Sequence, residues 1–213
     1  NIGTAAAEFG LNLATGLVIA GAIAGDSGGT ELVSAFTALA FFGMGLILLI
    51  LFSLFYQIST PFDIHTEIEN DNYAVGIAFG GNLIAIGLIS FKALFGDFVG
   101  WGESITAFII YAVLGFILLY ILRILIDLLL VPSIKVSQAL TTERNAGVAF
   151  IESSVVISSA LILFLSILTG FKLGLYETVR SQTFSQNESL ILLIAIFAPI
   201  SFRILTKPFL VLL

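Results

Sequence analysis

The stretch Asn72-Tyr73-Ala74-Val75-Gly76-Ile77-Ala78-Phe79-Gly80-Gly81-Asn82-Leu83-Ile84-Ala85-Ile86-Gly87-Leu88-Ile89-Ser90-Phe91-Lys92-Ala93-Leu94-Phe95 decides the fold. One charged residue, Lys92, interrupts the apolar run from Tyr73 to Phe95. A helix crossing a bilayer needs about 20 mostly apolar residues, and this run supplies them. Its glycines and alanines have a packing reason. In lipid there is little hydrophobic drive between helices, so small residues that let backbones approach gain van der Waals contact.

The same reading works outward along the chain. Runs at 3–24, 31–58, 104–131, 146–169 and 189–207 join 73–95 to give six expected spans. Two are longer than a minimal crossing and must tilt or emerge into the headgroups. Short segments of alternating polarity, the mark of a membrane barrel, are missing from the sequence. The expected fold is all-α: a polytopic membrane helix bundle of about six transmembrane helices, forming one transmembrane domain over 1–213.

Composition agrees. The chain is 59% hydrophobic and 10% charged, with a mean hydropathy of +1.14. A soluble domain carries roughly 25% charge and about 45–50% apolar residues. A water-soluble enzyme, a disordered chain and a nucleic-acid binder are excluded, and the net charge of −6 opposes phosphate binding as well. With no Cys there is no thiolate site or disulfide, and one histidine, His65, excludes bis-histidine haem. No cofactor and no metal are expected.

Six spans place both ends on one side, with the loops 59–72 and 132–145. Arg123, Lys135, Arg144, Arg203 and Lys207 belong to that side, against Lys92, Lys172 and Arg180 on the other. This bias predicts cytoplasmic ends. The chain opens on Asn1 and closes on apolar Leu213, so it reads as part of something longer, with no signal-peptide pattern.

An internal repeat underlies the spans. With Asn1, Asn72 and Asn145 superposed, Gly3, Ala74 and Gly147 coincide, as do Ala5, Gly76 and Ala149. Further along, Gly10, Gly81 and Ser154 coincide, then Ala14, Ala85 and Ser158, then Gly16, Gly87 and Ala160. Glu31 and Glu103 open the second helices of the first two copies, Glu188 follows a longer turn in the third, and Pro61, Pro132 and Pro208 follow each second helix. The expected units are tandem two-helix repeats at about 1–71, 72–144 and 145–213, parallel rather than inverted. Gly10, Gly16, Gly76, Gly80, Gly81 and Gly87 are the expected packing positions.

The segments Glu69-Asn70-Asp71-Asn72-Tyr73-Ala74-Val75-Gly76-Ile77-Ala78-Phe79-Gly80-Gly81 and Glu143-Arg144-Asn145-Ala146-Gly147-Val148-Ala149-Phe150 resemble a bacterial family. It is the domain of unknown function 350 family, typified by the YjfL-like small inner-membrane proteins. The resemblance covers about 35–170. Copy three departs from it, with Ser153 and Ser154 where copy two has Gly80 and Gly81. The resemblance implies an inner-membrane location and tandem two-helix units, and implies no particular activity.

Ionisable groups inside a span are costly and therefore functional candidates. Glu8 and Glu152 each stand seven residues after a repeat asparagine, and Ser153, Ser154, Ser158 and Ser159 extend a polar track from Glu152. These residues suit an ion or proton pathway. Alternatively, each carboxylate caps a neighbouring helix or pairs with a buried Arg. Arg123 and Asp127, four apart on one helix, suit a structural ion pair. Asn72 and Asn145, like Asn1, suit helix caps. Asn12 and Asn82 lie deeper and could bond across helices, and Lys92 is placed to snorkel. The segments 61–71 and 132–144 suggest short interfacial helices, with Pro61 at a first helical position and Phe62, Ile64 and Ile68 on lipid.

Catalytic motifs are thin. No triad order, phosphate loop, zinc-protease helix or calcium loop is present in the sequence, and Gly25-Asp26-Ser27-Gly28-Gly29 is a turn by composition. The expected function is therefore non-enzymatic. One reading is an accessory or structural subunit packing with other membrane protein subunits or with itself. The alternative is a small ion or proton channel or transporter using Glu8 and Glu152. The bilayer is the expected surround, and nucleic acid is not a partner.

Overall fold

The computed structural model describes residues 1–24, 30–96, 98–130 and 136–177, with the side chains of 122–123, 125–130 and 166–177 outside that description. The described residues form α1 (Ile2–Ala24), α2 (Glu31–Ser59), α3 (Ile64–Glu69), α4 (Tyr73–Leu94), α5 (Trp101–Leu130), α6 (Val136–Thr141) and α7 (Ala146–Glu177). Five of them, α1, α2, α4, α5 and α7, are long and apolar enough to cross a membrane. The protein is an all-α polytopic membrane helix bundle. The expected span at 189–207, the turn at 25–29 and residues Glu188, Arg203 and Pro208 lie outside the described residues.

Local sequence sets the boundaries. No proline interrupts the five long helices. Thr60 precedes Pro61, whose ring disfavours a helical residue before it. Thr60 is accordingly extended (φ −91°, ψ 141°), and α2 stops at Ser59. The Asn72 carboxamide oxygen accepts from the Ala74 and Val75 N–H groups and starts α4. Asp71 and Arg144, immediately before Asn72 and Asn145, both take positive φ (56° and 48°), so the chain turns the same way into α4 and α7.

Packing is organised around α4. Its side chains are mostly buried, including Leu83, Ile86 and Ile89. α1 and α7 flank it on opposite sides and run parallel to it: Gly3 meets Gly76 and Gly21 meets Phe91, while the Phe91 and Phe164 rings lie 5.4 Å apart. The α1–α4 seam is backbone against backbone. A Cβ on Gly10 would collide with Gly80, one on Gly76 with Gly3, and one on Gly87 with Ala14. Glycine is required here by the approach of a neighbouring main chain.

The remaining long helices close the bundle. α2 packs against α1 and α4, and α5 against α4 and α7. They meet each other through rings, Phe52 against Phe116 at 5.6 Å and Phe55 against Tyr120 at 5.4 Å. Phe36, Phe41, Phe98 and Trp101 cluster at the end remote from Asn72. Such aromatic clusters suit a membrane–water boundary.

Two expectations about the short helices are corrected. Pro61 is not the first helical residue, because Asp63 caps α3 by accepting from the His65 and Thr66 N–H groups. Nor do Phe62, Ile64 and Ile68 face lipid. Ile64 is buried in the core, and Phe62 and Ile68 pack against it.

Candidate functional site

The starts of α1, α4 and α7 lie at one end of the bundle, and the polar chemistry there is built from asparagines. Asn1 accepts from the Thr4 N–H at 3.0 Å, Asn72 from Ala74 at 3.1 Å, and Asn145 from Val148 at 3.2 Å. Each satisfies a donor that a helix start leaves without an intrahelical partner.

Two of the three also reach sideways. Asn1 Nδ2 donates to the Ile68 and Glu69 carbonyls, at 2.9 and 3.2 Å, at the end of α3. Asn72 Nδ2 donates to Leu140 at 2.9 Å and Thr141 at 3.4 Å, at the end of α6, and to Glu67 Oε2 at 2.8 Å. Asp71 closes the corner: one carboxylate oxygen accepts from the Ile2 and Gly3 N–H groups, at 2.7 and 3.1 Å. The Gly3 N–H, followed by Ile2, holds the Asp71 carboxyl below its usual range. At Asp63 the Thr66 N–H leads the same effect.

Deeper in the span, polar side chains sit in the seams of α4. Asn82 Nδ2 donates to the Ala78 carbonyl at 2.8 Å and to the Tyr56 hydroxyl at 3.3 Å. Ser153 donates to the Ile77 carbonyl at 3.0 Å and packs on Gly81. Glu152 is 6% exposed, and Ser90 and Ser159 are buried with hydroxyls that find no hydrogen-bond acceptor or donor among the described residues. A pocket of about 20 Å³, lined by Phe52, Tyr56, Ser59, Asn82, Phe116 and Val156 among others, has room for about one water.

The expected pathway residues do not gather. Glu8 is exposed on the outer side of α1, whereas Glu152 is buried on α7, with α4 between the two helices. The serine track splits: Ser153 and Ser159 turn inward, while Ser154 and Ser158 are exposed. Ser154 donates to its own helix, at Ile151 O.

The expected packing glycines divide too. Gly10, Gly76, Gly80, Gly81 and Gly87 are in the seams, but Gly16 is exposed and meets nothing within 4 Å. Asn12 is exposed and Asn82 is buried. Lys92 does not extend into water: it is buried, with its ammonium 5.5 Å from the centre of the Phe95 ring. The side chains of Arg123 and Asp127 lie outside the described residues.

Sequence reading expected Asn82 to bond across helices but did not name Tyr56 as the partner, and it missed the reach of Asp71 to α1. Tyr56 falls among other aromatics and nothing local marks it. In the sequence Asp71 stands out only as the residue before Asn72. His65 and Glu69 make an exposed pair at 3.1 Å, and no group of three metal-ligating side chains forms among the described residues.

No curated protein and no solved structure matches the chain. The family model described as Domain of Unknown Function (DUF350) matches residues 29–167, from the start of α2 into α7. That match spans more than half of the sequence, and the chain belongs to the DUF350 family.

Proposed function

We propose that the protein is a non-enzymatic subunit of a larger assembly in the bacterial inner membrane, built from tandem two-helix units with its ends in the cytoplasm. The observation that carries the reading is the exposure of Glu8 and Asn12 on the outer side of α1, within a span. Intramembrane ionisable groups almost always face a bundle interior or a wet cavity, because contact with lipid costs several kcal/mol. A further helix against α1 removes that cost. The matching φ values at Asp71 and Arg144 and the parallel course of α1, α4 and α7 support tandem units.

Conduction through Glu8, Glu152, Ser154 and Ser158 is the weaker reading, because these side chains point to different sides of the bundle. Purification from native membranes in gentle detergent, with mass and companions determined, tests the subunit reading. A stoichiometric companion or a homo-oligomer is the expected result, and a lone monomer overturns it. Cation or proton flux in liposomes, abolished by Glu8→Gln or Glu152→Gln, would move the assignment to conduction.

A further inference from the structure

The small cavity between α2, α4, α5 and α7 is lined by a polar side chain whose oxygen the protein does not serve. Asn82 lines it and is 3% exposed. Asn82 stands ten residues after Asn72, about 15 Å along α4, near the middle of a hydrocarbon core about 30 Å thick. Both of its amide protons are used. Nδ2 donates to the Ala78 carbonyl at 2.8 Å and to the Tyr56 hydroxyl at 3.3 Å. A carbonyl only accepts, so the group facing Ala78 is the NH2 end of the amide. The Asn82 oxygen is left over and receives no hydrogen bond among the described residues.

We infer that this cavity is a binding site for one water molecule, held in the bilayer interior by Asn82 Oδ1 and a hydroxyl oxygen of Tyr56 or Ser59. The site stands independently of the assembly reading above.

Size and lining select this ligand. The cavity measures about 20 Å³, room for about one water. Apolar cavities stay dry, whereas a buried water needs two to four polar partners. Asn82, Tyr56 and Ser59 bring three side-chain oxygens to the lining. Ser59 Oγ donates its proton to the Tyr56 carbonyl at 3.1 Å, and the Tyr56 hydroxyl oxygen accepts from Asn82. A water therefore donates one proton to Asn82 Oδ1 and the other to one of these hydroxyl oxygens. Without it, an amide oxygen in the membrane interior goes unserved, which is costly where no bulk water is at hand.

The walls and the rim agree. Phe116 packs edge-on against Phe52 at 5.6 Å and Phe55 at 4.5 Å, so closing the cavity would break both ring contacts. Ser59 and Tyr120 also line the cavity and are exposed, which gives it an open side. Ser59 is the last residue of α2, at the end of the bundle where α4 begins.

Val156 of α7 gives the test. It lines the cavity with no polar side-chain atom and is 4% exposed. Val156→Ile adds one methylene, enough to displace a single water, and leaves Asn82, Tyr56 and Ser59 in place. Full-length chains are compared in micelles by melting temperature. In a hydrated cavity the added methylene evicts the water, orphans Asn82 Oδ1 and lowers the melting temperature. Asn82→Leu removes the orphan, so Val156→Ile should raise the melting temperature in that background. Simple overpacking would lower it in both backgrounds and overturn the proposal.

Hydroxyl-radical footprinting by radiolysis of water reads the site directly, because a bound water oxidises the rings beside it. Tyr56 is 3% exposed, and Phe108, a ring outside the cavity lining, is 7% exposed. Normalised to the denatured chain, Tyr56 should be labelled several-fold more than Phe108, and Val156→Ile should bring it down to the Phe108 level. Equal labelling of the two rings, or a higher melting temperature for Val156→Ile alone, would mean a dry cavity and overturn the proposal. Tyr56 labelling that survives Val156→Ile would place the water elsewhere and overturn it as well. Should Val156→Ile not fold, Asn82→Leu decides: loss of Tyr56 labelling supports the site, and unchanged labelling overturns it.

Discussion

The side-chain amide of Asn72, at the start of α4, donates to the Leu140 carbonyl at the end of α6, 2.9 Å away. Asn1 does the same to Ile68 at the end of α3, also at 2.9 Å. The same residue type thus ties the start of one long helix to the end of the short helix that introduces the next. With its oxygen on the Ala74 and Val75 N–H groups, Asn72 serves three helical segments at once.

Asn72→Ala should therefore be costly. It strips a cap from α4 and a donor from the end of α6 at a site with 0% exposure. Orphaned buried groups cost about 1–3 kcal/mol, and a lost cap about 1 kcal/mol. A loss of roughly 2–4 kcal/mol is expected by reversible unfolding in mixed micelles. Asn72→Asp keeps the cap oxygen, loses the donor and sets a carboxylate beside Glu67, so it should also destabilise. Wild-type stability in either variant would show that Asn72 does not tie α4 to α6.

The glycine seam predicts a contrast between two substitutions of identical chemistry. Gly80→Ala puts a methyl against the Ala6 carbonyl on α1, so α1 and α4 must separate. Overpacking of this kind costs about 1–3 kcal/mol. Gly16→Ala meets nothing within 4 Å and gains helix propensity of about 1 kcal/mol at most. Thermal stability in detergent should fall for the first and hold or rise for the second. Equal effects would mean that the α1–α4 approach is not set by contact.

At the Asp71 corner the variable is pH. The Gly3 and Ile2 N–H groups favour the charged carboxylate, so its folded value lies below the ordinary 3.8. A depressed carboxyl contributes fully above the ordinary value and loses its contribution as pH falls through the folded one. Protection of the Ile2 and Gly3 amides from exchange should therefore hold at neutral pH and decay below 3.8. Asp71→Asn should flatten that decay, since a neutral amide oxygen still accepts and asparagine tolerates the positive φ of 56°. An unchanged pH profile in Asp71→Asn would assign the decay to another group.

Much of this architecture was legible because its causes are local. A long apolar run forces a span, an asparagine at a span's start caps it, and recurring small residues mark close approach. The functional candidates were harder to read for a physical reason. Glu8 and Glu152 occupy equivalent repeat positions, yet one is exposed and one buried. The repeat fixes which face each occupies. Whether that face is covered depends on the helix's place in the row, and α7 has α4 beside it where α1 has nothing among the described residues. Gly16 misled in the same way, since its counterparts Gly87 and Ala160 are both buried.

Glu8 gives the sharpest separation of fold from assembly. On α1 it is exposed, so Glu8→Leu removes no described core contact. For a chain alone in lipid the change should be neutral or favourable, because insertion scales place an acidic residue at mid-span about 2.5–3.5 kcal/mol above an apolar one. For a chain assembled through α1 it deletes the polar group that a neighbouring helix would meet. Glu8→Leu should therefore leave monomer unfolding unchanged or more resistant while the assembled fraction, read by mass in gentle detergent, falls several-fold, and Glu8→Gln, which still accepts a hydrogen bond, should restore most of it. If both substitutions leave the assembled fraction intact, the Glu8 carboxylate contributes nothing to assembly, and the exposure of Glu8 no longer supports the subunit reading.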